Sequence, residues 1–105
     1  MDIQISTDKN VDGTEQLAEH VRTVVHKRIG RMEERITRVE VHLGDENGAK
    51  AGQKDHRCMI EVRPRGLDPV ALTHYADNLH QAIDGAAERM ERTISEHFAK
   101  LDAHR

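Results

Sequence analysis

The sequence predicts an α+β fold: a two-layer sandwich of order β-α-β-β-β-α, with a four-stranded mixed sheet and two helices on one face. Three observations lead there. Four short segments alternate apolar and polar residues at the strand period of two. Two longer segments repeat apolar residues at helical spacing. One sheet has to bury a face, and only these two helices can cover it.

The first strand is "DIQIS", with Ile3 and Ile5 on one side. The link "TDKNVDG" follows, and Asp12 or Thr14 caps a helix; Asp12 and Glu15 have capping-box spacing. That helix is predicted over Glu15–Glu33, burying Leu17, Val21, Val24, Val25, Ile29 and Met32. Its β-branched residues lower local propensity, so tertiary packing must hold it. The second strand is "ITRVEVHL": Val39, Val41 and Leu43 point inward, Arg38, Glu40 and His42 outward. "GDENGAKAGQKD", Gly44–Asp55, carries no core residue and reads as a mobile loop. Its Lys50 and Lys54 could reach an anionic partner, although a solvated linker is the simpler reading.

"HRCMIEVR" forms the third strand, with Cys58, Ile60 and Val62 facing the core. The turn "PRGLDP" has prolines that end pairing on either side, and "PVALTHY" is the fourth strand. Asp77 or Asn78 caps the last helix, whose buried stripe runs through Ile83, Ala86, Met90, Ile94 and Leu101. The first strand–helix–strand unit makes a right-handed parallel crossover, and the later strands form antiparallel hairpins. The 105 residues suit one domain, 1–105.

A formal net charge of −3 gives no global attraction to nucleic acid or to an anionic membrane. An anionic partner must therefore be held by a local basic patch. Cys58 is the sole cysteine, so no internal disulfide forms. The N-terminus lacks the charged and apolar regions of a secretory signal, and no apolar run has bilayer length. The expected setting is cytoplasmic, without membrane association. The eight histidines show no His-x-x-x-His pair with a ligating neighbour, and a zinc site lacks a second cysteine. No metal, cofactor or small-molecule substrate is expected. There is no phosphate-binding glycine loop and no local Ser/His/Asp or Cys/His pairing, so an enzyme has no motif behind it. Cys58 reads as an inert buried thiol. The outer sheet face lacks the exposed aromatics on which RNA bases stack, so any RNA contact should go to backbone and shape.

A helical wheel sorts the charges. In the first helix Lys27 and Arg31 share a flank with His20 nearby, Arg28 borders the apolar stripe and snorkels, and Arg35 continues the side. The other flank carries Glu15, Glu19 and Glu33, relieved by Arg22 and His26. In the last helix Arg89, Arg92 and Lys100 lie on one side, interrupted by Glu96, and Asp84, Glu91 and Asp102 on the other. If both basic flanks border one groove, the protein can grip phosphates despite its net charge; helices also segregate charge by chance.

The order of elements and several motifs resemble the ribosome hibernation promoting factor family, which includes ribosome-associated inhibitor A and the sigma-54 modulation proteins. The matching pieces are "IQIS", "NVDGTEQLAEHV", "ERITRVEVHL" and "AIDGAAERMER", in order across nearly the whole chain. "RVEVHLGDENG" and "RCMIEVRPRGLDPVALTH" look like a subgroup of short, single-domain members. The resemblance implies a layout similar to double-stranded RNA-binding domains. It also implies a partner, the small ribosomal subunit with its rRNA, and translation blocked or idle ribosomes preserved under stress. Carried over residue by residue, it gives RNA-binding roles to Arg89, Arg92 and Lys100, to Lys27 or Arg28, and to Arg35; the wheel adds Arg31. Glu96 and Phe98 depart from it, standing where members often carry Lys. Glu96 should weaken a grip on phosphate, and Phe98 extends the core. The extra domain by which long members dimerise ribosomes is missing, so a long-form role is not expected, and the free protein is expected to be monomeric. The alternative is a protein-interaction module of the same fold without ribosome affinity.

Overall fold

The computed structural model describes residues 1–46 and 55–104. Its elements are β1 (Asp2–Thr7), α1 (Glu15–Ile29), a 3-10 helix (Gly30–Arg35), β2 (Ile36–Asp45), β3 (His56–Pro64), β4 (Val70–Ala76) and α2 (Leu79–Ala103). The sheet order is β1-β2-β3-β4. β1 runs parallel to β2, and the remaining pairs are antiparallel. This is the predicted two-layer α+β arrangement.

Both helix starts rest on a side-chain cap. Thr14 Oγ1 accepts from the Leu17 amide at 3.1 Å, and Asn78 Oδ1 accepts from the Gln81 amide at 2.8 Å. The Asp12–Glu15 capping box is not the one used. α1 also ends earlier than its periodicity suggests. The α-helix stops at Ile29, and Gly30–Arg35 continues as 3-10 turns. Gly30 has the lowest helical propensity short of proline. Arg31 Nη1 then donates to the Arg28 carbonyl at 3.2 Å, satisfying one of the acceptors freed at the helix end. Met32 is left half-buried, not in the core proper.

The reading of Gly44–Asp55 as loop needs correction at its start. Gly44 and Asp45 are buried strand residues, paired with Arg57 and His56. Arg57 crosses directly over Gly44 to reach Asp8 at 3.7 Å and Glu46 at 3.0 Å, and a Cβ on Gly44 would collide with that guanidinium. Lys50 and Lys54 lie outside the described residues.

One apolar cluster joins the layers. Val39, Val41, Leu43, Cys58, Ile60 and Val62 meet Val21, Val25, Met90, Ile94 and Phe98, all buried. Phe98 extends this core as expected, with 4% of its surface exposed. Burial also pushes the Cys58 thiol up to about 12. The folded state keeps that proton while an unfolded chain releases it near pH 9.0. The thiol's contribution is thus complete below pH 9.0 and is lost as pH rises toward about 12.

The seam between α2 and the sheet edge explains a glycine inside a helix. The His74 imidazole packs against Gly85, where a Cβ would collide with the ring. Arg89 Nη1 holds the same seam, donating to the Thr73 carbonyl at 2.9 Å and lying 3.4 Å from His74 Nδ1.

Gly85→Ala in a His74→Ala background should stabilise by about 1 kcal/mol in urea unfolding, the ordinary helix-propensity gain. With His74 in place the same change should gain nothing or destabilise. A thiol reagent at pH 8 should leave Cys58 intact until urea unfolds the chain, and Cys58→Val should flatten the alkaline loss of stability above pH 9.0.

Candidate nucleic-acid interface

The helices lie side by side and run in the same direction. His20 meets Asp84 at 3.1 Å, Arg28 meets Glu91 at 3.3 Å and Glu88 at 4.0 Å, and Arg35 meets Asp102 at 3.0 Å, in ascending order along both helices. Topology dictates this. A parallel crossover makes α1 antiparallel to β1 and β2, and α2 returns antiparallel to β4, which points the same way as β2. Parallel neighbours place like ends of their dipoles together, and charge pairs across the seam offset that cost.

The basic flank of α1 therefore faces the acidic flank of α2, not its basic one. Glu91 bridges two arginines, Arg28 through Oε1 and Arg31 through Oε2, the latter at 2.8 Å. Asp102 takes Arg35 through two hydrogen bonds of 3.0 and 3.1 Å. The Arg35 guanidinium also lies 4.0 Å from the centre of the Phe98 ring. At the start of the seam His20 stacks on His80, ring centres 4.2 Å apart. A cleft of about 300 Å³ runs there, lined by His20, Thr23, Lys27, Arg28 and Asp84.

The seven sequence-selected cations thus divide. Arg28, Arg31 and Arg35 are engaged by carboxylates within the seam. Lys27 is exposed beside the cleft and makes no ion pair among the described residues. Arg89, Arg92 and Lys100 are exposed, and Arg92 borders the seam through Glu88, which it shares with Arg28. Arg92 has only a long 3.9 Å pair with Glu88, and Arg89 spends one nitrogen on the Thr73 carbonyl. The two basic flanks do not share a groove. Instead, Lys27, Arg28, Arg31 and Arg35 confront Asp84, Glu88, Glu91 and Asp102 across it. Helical wheels show each flank but not which flank is turned to the neighbour; strand directions carry that signal.

The outer sheet face is polar, and it is laced together around Glu40. Arg63 reaches Glu40 at 3.1 Å and Glu61 at 2.9 Å, and Arg38 lies 3.3 Å from Glu40. The diagonal contacts of Arg63 relieve two like-charge pairs in register, Arg38 with Arg63 and Glu40 with Glu61. Parallel pairing also sets Ser6 opposite His42, with Oγ 2.6 Å from Nδ1 and Glu40 3.5 Å beyond. That trio is invisible in sequence, since its members are far apart in the chain. It has the residue types of a hydrolytic relay, but Glu40 is already committed to two arginines on an open face. Among the described residues no three His, Cys, Asp or Glu side chains are placed to hold a metal ion, and no helix is long and apolar enough to cross a membrane.

A family model described as Sigma 54 modulation protein / S30EA ribosomal protein matches residues 3–102. A ribosomal subunit interface protein from Coxiella burnetii superposes with a TM-score of 0.76 at 17% identity, over 94% of this chain and 99% of that one. The N-terminal domain of Protein Y from Thermus thermophilus gives 0.70 at 23% identity, over 92% and 99%. At these identities the two structures establish likeness of fold. No curated protein sequence matches the chain.

The Arg35 contacts predict a substitution pattern. Arg35→Ala should cost about 1 kcal/mol in urea unfolding, a figure held down by the exposure of the pair. Arg35→Lys should recover little of it, because an ammonium cannot reproduce the two-pronged contact with Asp102 or the flat stack on Phe98.

Proposed function

As the chain belongs to the Sigma 54 modulation protein / S30EA ribosomal protein family, we propose that it binds the small ribosomal subunit through rRNA backbone contacts and, in stress, inhibits translation or preserves idle ribosomes. The observation that carries this reading is the family match over residues 3–102. The setting is the cytoplasm, the role is binding without catalysis, and the free protein is a monomer of one domain.

The helical layer supplies the RNA contacts in this reading. Arg89, Arg92, Lys100 and Lys27 meet phosphates first, because their charges are least engaged by the protein's own acids. Arg28, Arg31 and Arg35 lie along the same layer and contribute behind them. Glu96, exposed on the basic side of α2, opposes the grip. Contacts to phosphate are independent of sequence, release counterions and weaken with salt. The aromatic-poor outer sheet face fits this division: among the described residues Tyr75 is its one exposed aromatic, with its hydroxyl donating to Glu46 at 3.2 Å, and a single ring is a poor platform for successive unstacked bases.

A second reading has its own support. The seam's cations are matched by carboxylates and the formal net charge is −3, which suits a module that keeps the fold and binds a protein partner instead.

Co-sedimentation with purified small subunits separates the two. The wild type should pellet with subunits at low salt and be released as salt rises. Arg89→Glu combined with Arg92→Glu should abolish pelleting, and Glu96→Lys should strengthen it. Pelleting of the double variant unchanged at moderate salt would remove Arg89 and Arg92 from the interface. A wild type that never pellets would favour the protein-partner reading.

A further inference from the structure

We propose that Glu91 and Asp102 act as internal stand-ins for RNA phosphates, so that these two carboxylates set the RNA affinity of the helical face. The inference rests on the RNA-binding reading above and adds a regulatory element to the same site. Its basis is geometric. Glu91 accepts from Arg28 at 3.3 Å and from Arg31 at 2.8 Å, one carboxylate oxygen to each. Asp102 takes the Arg35 guanidinium in a two-pronged contact at 3.0 and 3.1 Å. A phosphate diester presents two non-bridging oxygens to a guanidinium in that same planar geometry.

The exchange is physically accessible. Side-chain exposures are 56% for Arg31, 43% for Arg35, 49% for Asp102, 36% for Arg28 and 30% for Glu91, so the Asp102 contact faces solvent and the Glu91 contacts are partly covered. Exposed pairs of this kind contribute little to stability, and replacing them with another anion is nearly neutral for the fold. The three arginines lie on successive turns along one side of the seam, a row that can follow a phosphate backbone. In the free protein the row is neutralised. On RNA, phosphates displace the carboxylates, and the displaced acids then repel the ligand. Both effects lower affinity relative to a chain lacking those acids.

Lysine and arginine charges elsewhere respond to any added positive charge, so the test needs a matched control. Glu19 is exposed on α1 and has no ion pair among the described residues; Glu19→Gln makes the same charge change away from the seam. Binding of a 20-base-pair RNA duplex is measured against salt for the wild type, Glu91→Gln, Asp102→Asn, their combination and Glu19→Gln, each checked for unchanged far-ultraviolet circular dichroism. Glu91→Gln and Asp102→Asn should each tighten binding by roughly fivefold or more. The combination should steepen the logarithmic salt dependence by roughly two to three units, as about three arginines become available to phosphates. Glu19→Gln should change affinity by about twofold or less, reflecting screened long-range charge alone. Adding Arg31→Gln to Glu91→Gln should remove about half of the gain, and adding Arg28→Gln as well should remove the rest.

Seam variants that bind no better than Glu19→Gln, or more weakly than the wild type, overturn the inference. Small-subunit co-sedimentation keeps the two proposals apart. Duplex binding that tightens without any subunit binding upholds the stand-in role and rejects the ribosomal one. Subunit binding with no duplex tightening does the reverse.

Discussion

The parallel packing of α1 and α2 on one sheet face, through a shared apolar cluster, is the constraint that brings their charged flanks together. Two parallel helices on one sheet face carry like dipole ends side by side, and each needs an apolar stripe turned to the sheet. That leaves one flank of each helix to meet the other. Arg28, Arg31 and Arg35 on one side and Glu91 and Asp102 on the other make the meeting attractive. The same pairs decide which cations are left over. Arg89 anchors the far flank of α2 on β4, and Arg92 and Lys100 project beyond it. In the proposed reading, structure and RNA recognition draw on a single pool of arginines and lysines.

Much of the fold is legible in the sequence because burial alternates with the pleat. Val39, Val41 and Leu43 on β2, and Cys58, Ile60 and Val62 on β3, announce their faces directly, and both are wholly inward. Asp77 and Asn78 together marked the start of α2, and the structure selects Asn78 as the cap. Gly44 and Asp45 did not declare themselves as strand, since neither is apolar; they are held by cross-strand pairing and by Asp8, whose carboxylate accepts from the Asp45 amide at 3.2 Å. The switch to 3-10 turns after Ile29 was hidden behind Met32, which keeps helical spacing while the backbone changes.

The candidate site was legible residue by residue but not as an assembly. Periodicity placed Arg28 beside the apolar stripe and Asp84, Glu91 and Asp102 together on one flank of α2. It could not say that these flanks face one another, because that depends on helix direction, which β-strand order fixes. His74 and Gly85 form a second case: a ring and a missing side chain fit together across elements, and neither is informative alone. Ser6 and His42 form a third, joined by strand register. In each case the information lies in pairing between distant segments.

The central claim is that this family member associates with ribosomes through the helical layer despite a net negative charge. Sedimentation of extracts from starved cells tests it most directly. The account predicts that the protein travels with small subunits or whole ribosomes in a sucrose gradient and moves to the top when salt is raised. Protein found only at the top of low-salt gradients, in extracts whose ribosomes remain intact, would contradict it.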